Sequence, residues 1–303
     1  MTRREFLTAT ASAPIAASAL SFADEQTANV PIVDSHVHCF AGPANDRFPY
    51  HADAPYEPAE AAPPEQLLRL MDDADVDFAV IVHPEPYQDD HRYLEHCLDV
   101  GRGRLKGTCL FFADQANATR RLAELVERRT DDIVALRVHA YAPERLPPLG
   151  KPELRELWKM AANLGLAIQL HFEPRYAPPL EPLIREFRDT TVLVDHLGRP
   201  FQGTPAEHAA ILRWGDHSNV VMKLSSLPVR ENYPHRDPAS VVRQLLEAFG
   251  SDRLVYGGGF GADATAESYR AARERVAAHL PGLSQEDIAK VLGGNATWLF
   301  GFA

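Results

Sequence analysis

The residues best suited to chemistry in this 303-residue chain are histidines that follow short apolar runs. His36 and His38 lie two apart in Asp34-Ser35-His36-Val37-His38, a spacing that puts both imidazoles on one face of an extended chain, as a metal ion or a polar pocket requires. With 13 histidines present such a pair arises readily by chance, so its context decides. His83 follows the run Phe78 to Val82, His139 follows Ile133 to Val138, His171 follows Ala167 to Leu170, and Asp195-His196 follow Val192 to Val194. Neutral imidazoles gathered in this way could ligate a divalent metal. His83 and His139 read equally as hydrogen-bonded histidines of a rim. Arg47, Arg137, Arg175 and Arg199 fall in or just after the same regions, and guanidinium forks hold carboxylates, which points to an anionic or multiply oxygenated small molecule. Arg47, Arg175 and Arg199 read as well as solvated loop residues, whereas Arg137 interrupts an apolar run, as does Lys223, for which a buried salt bridge is the alternative.

The elements that must position these groups are eight apolar runs alternating with amphipathic stretches. Besides those above, Ile32 to Asp34, Leu105 to Phe112, Val220 to Leu224 and Leu254 to Tyr256 complete the set. Helix starts such as Pro152-Glu153-Leu154 place Pro and an acid where free amides and the dipole favour them. The pattern predicts an α/β chain forming a single (β/α)8 TIM barrel, whose catalytic groups gather at the C-terminal ends of the strands. Five strands would then deliver histidine to one rim. The Pro- and Ala-rich segment 41–64 reads as a functional loop over the mouth.

Composition narrows the function. A formal charge of −11 disfavours binding to nucleic acid or anionic membrane, because both need a basic surface, and leaves a small molecule as the expected partner. Cys39, Cys97 and Cys109 are too few for a disulfide framework, so one bridge or none is expected. Thr2-Arg3-Arg4-Glu5-Phe6-Leu7, followed by an Ala- and Ser-rich run and Ser21-Phe22-Ala23, resembles a twin-arginine export signal. The expected organisation is a signal over 1–23, a barrel over 24–303, no membrane span, and a periplasmic or extracellular location. Association into a homo-oligomer is left open.

Taken together the motifs resemble the amidohydrolase superfamily, and within it the amidohydrolase-related, lactonase-like branch that holds sugar lactonases and the hydrolase of 2-pyrone-4,6-dicarboxylate. The markers are Asp34 to His38, Asp90 to Leu94, Gly107, Leu136-Arg137-Val138, His171, Asp195-His196-Leu197-Gly198-Arg199-Pro200, Lys223-Leu224-Ser225 and Gly294-Asn295-Ala296. The resemblance implies hydrolysis at a carbonyl, with opening of the cyclic ester of a sugar acid or carboxylated ring compound. It implies catalytic roles for His36, His38, His171 and His196, with His36, His38 and His171 as ligands of a divalent ion, zinc or manganese. Some members of the branch work without a tightly held metal. Substrate contacts would come from Arg47, His83, Arg137, Arg175, Arg199 and Lys223. The family places an aspartate at the end of the eighth strand to take a proton; here Tyr256-Gly257-Gly258-Gly259-Phe260 puts Gly259 there. Asp263 is one substitute base, and His171 or His196 is another. The alternatives are a non-oxidative decarboxylase and a catalytically idle, ligand-binding barrel.

Overall fold

Apolar runs covered by helices on one side and by a packed interior on the other pair as parallel strands, which is why they read as nearly continuous Val, Ile and Leu. In the computed structural model, which describes residues 30–141, 143–228, 237–280 and 282–303, eight such strands form one sheet in sequential order. They are β1 (Val33–Val37), β2 (Phe78–Val82), β3 (Leu105–Leu110), β4 (Ile133–Ala140), β5 (Ala167–Phe172), β6 (Val192–Val194), β7 (Val220–Leu224) and β8 (Leu254–Tyr256). All seven neighbouring pairs are parallel. The interleaved helices are α1 (Pro64–Asp73), α2 (Arg92–Gly101), α3 (Ala118–Arg128), α4 (Pro152–Asn163), α5 (Ala177–Glu186), α6 (Pro205–Leu212), α7 (Pro238–Phe249) and α8 (Ala266–Ala278). The architecture is the (β/α)8 barrel. The twin-arginine-type segment lies outside the described residues.

Strand ends depart from the apolar runs in a way that matters for the site. β1 extends to Val37, β4 to Ala140 and β5 to Phe172, so His36, His139 and His171 sit within strands and inherit their rigidity. β3 stops at Leu110, short of Phe112. Between Asp34 and Val37 the register with β2 shifts, a bulge of the kind that re-aims side chains near active sites.

Local chemistry explains where the helices begin. α1, α4, α6 and α7 each open with Pro in the first turn, whose missing N–H costs nothing there. Thr204 and Thr265 form capping boxes at α6 and α8, and Asp237 caps α7. The segment between β1 and α1 is pinned by paired bonds between Phe40 and Ala62 (3.0 and 2.8 Å), and by Ala41 N donating to Tyr87 Oη at 2.7 Å. It brings Tyr56 to the cavity mouth, as a functional loop would. Beyond α8, α9 (Gln285–Ala289) continues through a π-turn at Lys290–Gly294 into α10 (Asn295–Phe300), and the Asn295 amide donates to the carbonyls of Ser251 and Leu254, both at 2.8 Å. Among the described residues no helix is long and apolar enough to cross a membrane.

The barrel interior is not uniformly apolar. Asp34, Arg137, Gln169, Asp195 and Lys223 are all buried toward the C-terminal half of the strands. Buried charges persist only when paired and hydrogen-bonded, so this layer must be one connected network.

Candidate active site

Asp195 is the hub of that network. The Gln169 amide donates to both carboxylate oxygens at 2.9 Å; Arg137 Nη2 lies 3.4 Å from Oδ2, Lys223 Nζ 3.6 Å from Oδ1, and His36 Nδ1 3.4 Å from Oδ1. Burial alone would raise this carboxyl, but the His36 ring and the Lys223 and Arg137 cations around it hold it well below the usual carboxylate range. Lys223 also donates to the Ser35 carbonyl at 2.8 Å, and burial lowers its ammonium to about 8. Asp34 accepts from Gly258 N (2.7 Å) and His36 N (3.0 Å), which locks the start of the β8 loop to β1; burial raises it to about 6.

Above this layer four imidazoles line a cavity of about 570 Å³: His36, His38, His171 and His196. The rings of His36 and His38 meet edge to face with centroids 5.1 Å apart, His36 and His196 are 4.5 Å apart, and His171 and His196 are 5.3 Å apart. Burial pushes all four below the ordinary histidine value, His38 to about 4 and His196 to about 3, so they are neutral near pH 7. His38 Nδ1 lies 2.7 Å from the Val82 carbonyl and must donate to it, which leaves Nε2 as an acceptor in the cavity wall. His196 is held by Ser225, whose Oγ accepts from the His196 N–H (3.2 Å) and stands 3.0 Å from Nδ1.

The chain after β6 reaches the cavity along an uncommon path. His196, Leu197, Gly198 and Arg199 all have positive φ (54°, 59°, 69° and 54°), a left-handed run that costs energy at three non-glycine residues. It swings both His196 and Arg199 inward. The Arg199 guanidinium lies over the Tyr141 ring at 4.3 Å and donates to His171 Nε2. That contact fixes a tautomer chain: with Nε2 accepting, His171 Nδ1–H donates to His139 Nδ1 at 3.2 Å, and the His139 Nε2–H faces Glu85 Oε1 at 3.4 Å. Glu85 is itself paired with Arg145. Burial raises the Glu85 carboxyl, and the neighbouring arginines oppose that rise.

The expected site residues therefore separate. His36, His38, Arg137, His171, Arg199 and His196 line the cavity together, with Lys223 directly beneath them. Arg47 is exposed and lies over the Phe48 ring, and Arg175 is paired with Glu173 at 2.8 Å, both outside the lining. His83 is fully buried, faces the Gln88 carbonyl at 2.9 Å and stacks near His91, so it supports the loop after β2 and does not touch substrate space. Asp263 is exposed in a turn and lies outside the lining. At Gly259 itself the absence of a side chain has a packing cause: a Cβ there would stand 2.5 Å from Tyr269 Cδ2 and 3.2 Å from Ala272 Cβ, both on α8.

Sequence reasoning did not find Glu85, Arg145, Tyr141, Tyr56 and Arg275, which supply further polar groups to the lining. Glu85 follows His83 by two residues and Tyr141 follows His139 by two, so both were within reach of the strand-end rule; the others sit in loops or on α8 with no local signal. The metal donors also differ from the set implied by resemblance. The described residues whose donor atoms converge, all within 4.8 Å of one another, are His36, Asp195 and His196. His171 has both nitrogens engaged, by His139 and Arg199, and His38 stands outside the group. In type and number the three donors fit a divalent ion with open positions, and both ring nitrogens of His36 are buried without a hydrogen-bond partner. Lys223 and Arg137, already on the carboxylate, compete with such an ion for the same charge.

Comparison with known proteins agrees with this geometry. Residues 33–302 match a family model described as amidohydrolase. The chain is 28% identical over 241 residues to the 2-pyrone-4,6-dicarboxylate hydrolase of Comamonas testosteroni, covering 74% of this chain and 75% of that protein. It is 26% identical over 255 residues to the L-fucono-1,5-lactonase of Burkholderia ambifaria, covering 74% and 78%. A probable 2-pyrone-4,6-dicarboxylic acid hydrolase from Acinetobacter baumannii, solved with citric acid bound, superposes with a TM-score of 0.73 at 20% identity over 89% of this chain and 99% of that one. An amidohydrolase from Burkholderia multivorans with bound zinc gives 0.73 at 18% identity over 90% and 100%.

Proposed function

Because the chain belongs to the amidohydrolase family, we propose that it is a lactonase acting on a cyclic ester that carries a carboxylate. The observation that carries this reading is the charge of the cavity wall: among the described residues Arg137, Arg145, Arg199 and Arg275 stand against one carboxylate, Glu85, around four neutral imidazoles. Such a wall selects an anion and leaves the neutral His38 ring able to move a proton at Nε2. The curated relatives named for lactone hydrolysis, and the citrate in the Acinetobacter structure, support the same substrate class.

The residues divide the work as follows. Arg145 and Arg199, at the mouth, take the substrate carboxylate, and the stacked Tyr141 holds the Arg199 plane. Arg137, fixed from below by Asp195 and with its Nε unpartnered, takes the negative charge that develops on the ester oxygen during attack. His38 is the base, since the Val82 carbonyl fixes its Nδ1–H and leaves the Nε2 lone pair for water. Water oxygen bonds to the carbonyl carbon, the ring C–O bond breaks, and the proton held at His38 Nε2 passes to the departing ring oxygen. The product is a hydroxy acid. A divalent ion held by His36, Asp195 and His196 would supply polarisation of the carbonyl and a lowered pKa for water. The twin-arginine-type pattern at residues 2–7 supports action outside the cytoplasm.

The test is proton release by the purified chain against sugar-acid and carboxylated lactones, with and without zinc or manganese. Carboxylated lactones should turn over well above their spontaneous rate. A flat panel, with carbon dioxide released instead from a hydroxybenzoate, would replace this reading with a lyase.

A further inference from the structure

A second cavity of about 300 Å³ opens beside the first, between the loops that follow β3 and β4. Glu85 and Arg145 line both, so their ion pair is the partition between the two spaces. The second cavity differs in character. Its floor is apolar, with Leu110, Phe111, Val138, Leu154 and Leu157 all buried. Its rim is acidic, since Asp53, Asp114 and Glu144 are exposed there, and among the described residues of the lining the basic groups are Arg145 and the neutral His139 ring.

The geometry points to this cavity as a substituent pocket that receives an uncharged alkyl or aryl group carried by the lactone. The argument is one of continuity and charge. A substrate anchored by its carboxylate between Arg145 and Arg199 can extend past the Glu85–Arg145 partition into a space whose floor gains from burying apolar surface. The acidic rim disfavours a second carboxylate, because like charges repel even across a solvated rim, though weakly. The favoured substrate is therefore a monocarboxylated lactone with an apolar substituent, in preference to a polyhydroxylated sugar lactone or a ring dicarboxylate. This rests on the lactonase reading above and narrows it.

The experiment compares kcat/KM for carboxylated lactones bearing hydrogen, propyl or phenyl at one ring position, in the parent chain and in Ala113→Trp. Ala113 lines only the second cavity, and an indole there fills it. A pocket of this kind should favour phenyl over hydrogen by about tenfold or more. Ala113→Trp should erase that preference while changing the unsubstituted lactone less than about twofold. Leu146→Trp, from the opposite wall, provides a second obstruction should the first variant fail to fold. Equal turnover of all three lactones, or equal loss on all three in a folded variant, overturns the pocket and leaves the lactonase reading standing. No turnover of any lactone by the parent overturns both.

Discussion

Replacing Gly259 by aspartate restores the residue type that the family resemblance places at the end of the eighth strand, and the geometry predicts that the enzyme loses by it. A Cβ on residue 259 would stand 2.5 Å from Tyr269 Cδ2, 2.8 Å from Cε2 and 3.2 Å from Ala272 Cβ. Ordinary carbon contacts are about 3.5–4.0 Å, so the ring would have to retreat by about 1 Å. Tyr269 is fully buried on α8. Overpacking a core by one methyl costs about 1–3 kcal/mol, which sets the expectation for Gly259→Ala. Gly259→Asp adds a carboxylate directed at an aromatic ring, and desolvation brings its loss to at least about 3 kcal/mol. Urea unfolding measures the stabilities and proton release measures the activity. Shrinking the obstacle in Gly259→Ala/Tyr269→Leu should return at least about 1 kcal/mol relative to the sum of the single changes, since residues in contact couple. A Gly259→Asp variant as stable as the parent, with raised activity, would refute this reasoning. Gly259 would then be a lost catalytic position and not a packing requirement.

Asp195→Asn removes the counter-charge shared by Arg137 and Lys223, leaving two buried cations against a neutral amide; unfolding stability should fall by about 3–5 kcal/mol, and a loss below about 1 would show that the network is held some other way. His38→Ala should lower kcat by about a hundredfold with a smaller change in KM, and unchanged turnover would take the base role from it. Acid should destabilise the fold, because burial lowers His83 to about 4, His139 to about 2 and His91 well below its ordinary value. As pH falls from 7 to 5 the unfolded chain takes up protons near 6.5 while these buried rings stay neutral, so each withdraws about 2 kcal/mol; a total loss of at least about 4 kcal/mol is expected, and a flat profile over that range would show that the rings are charged in the folded state.

Strand positions were legible because a parallel strand covered on both faces must be apolar throughout, and runs such as Val192 to Val194 and Val220 to Leu224 have no other use. The ends of β1, β4 and β5 were not, because there the inward residues turn polar and the apolar signal stops before the strand does. The rule that barrel strands deliver chemistry at their C-terminal ends found His36, His38, His171 and His196. It failed for His83, whose ring is spent on the Gln88 carbonyl, and for Arg47 and Arg175, whose loops turn them to solvent.

What no reading of one strand at a time could reach is the state of each nitrogen. His171 has the right position for a metal ligand, yet Arg199, 28 residues later, takes its Nε2, and His139, 32 residues earlier, takes its Nδ1. Arg199 reaches that spot only because four successive residues adopt positive φ after Asp195. The same detour carries His196 to within 4.5 Å of the His36 ring, while Asp195 stays below as the third donor. One strained turn thus engages both nitrogens of His171 and brings His196 into the cluster that could hold a metal. Leu197→Gly removes a penalised left-handed residue but also deletes a buried core side chain, so the turn persists while stability falls by about 2–5 kcal/mol. Leu197→Val opposes the left-handed conformation, since a β-branched residue is a poor fit there. It should lower zinc affinity and free the His171 ring in the same variant. Loss of zinc affinity with the His171–Arg199 contact intact, read from the histidine ring resonances, would show that the two consequences do not share this turn as their cause.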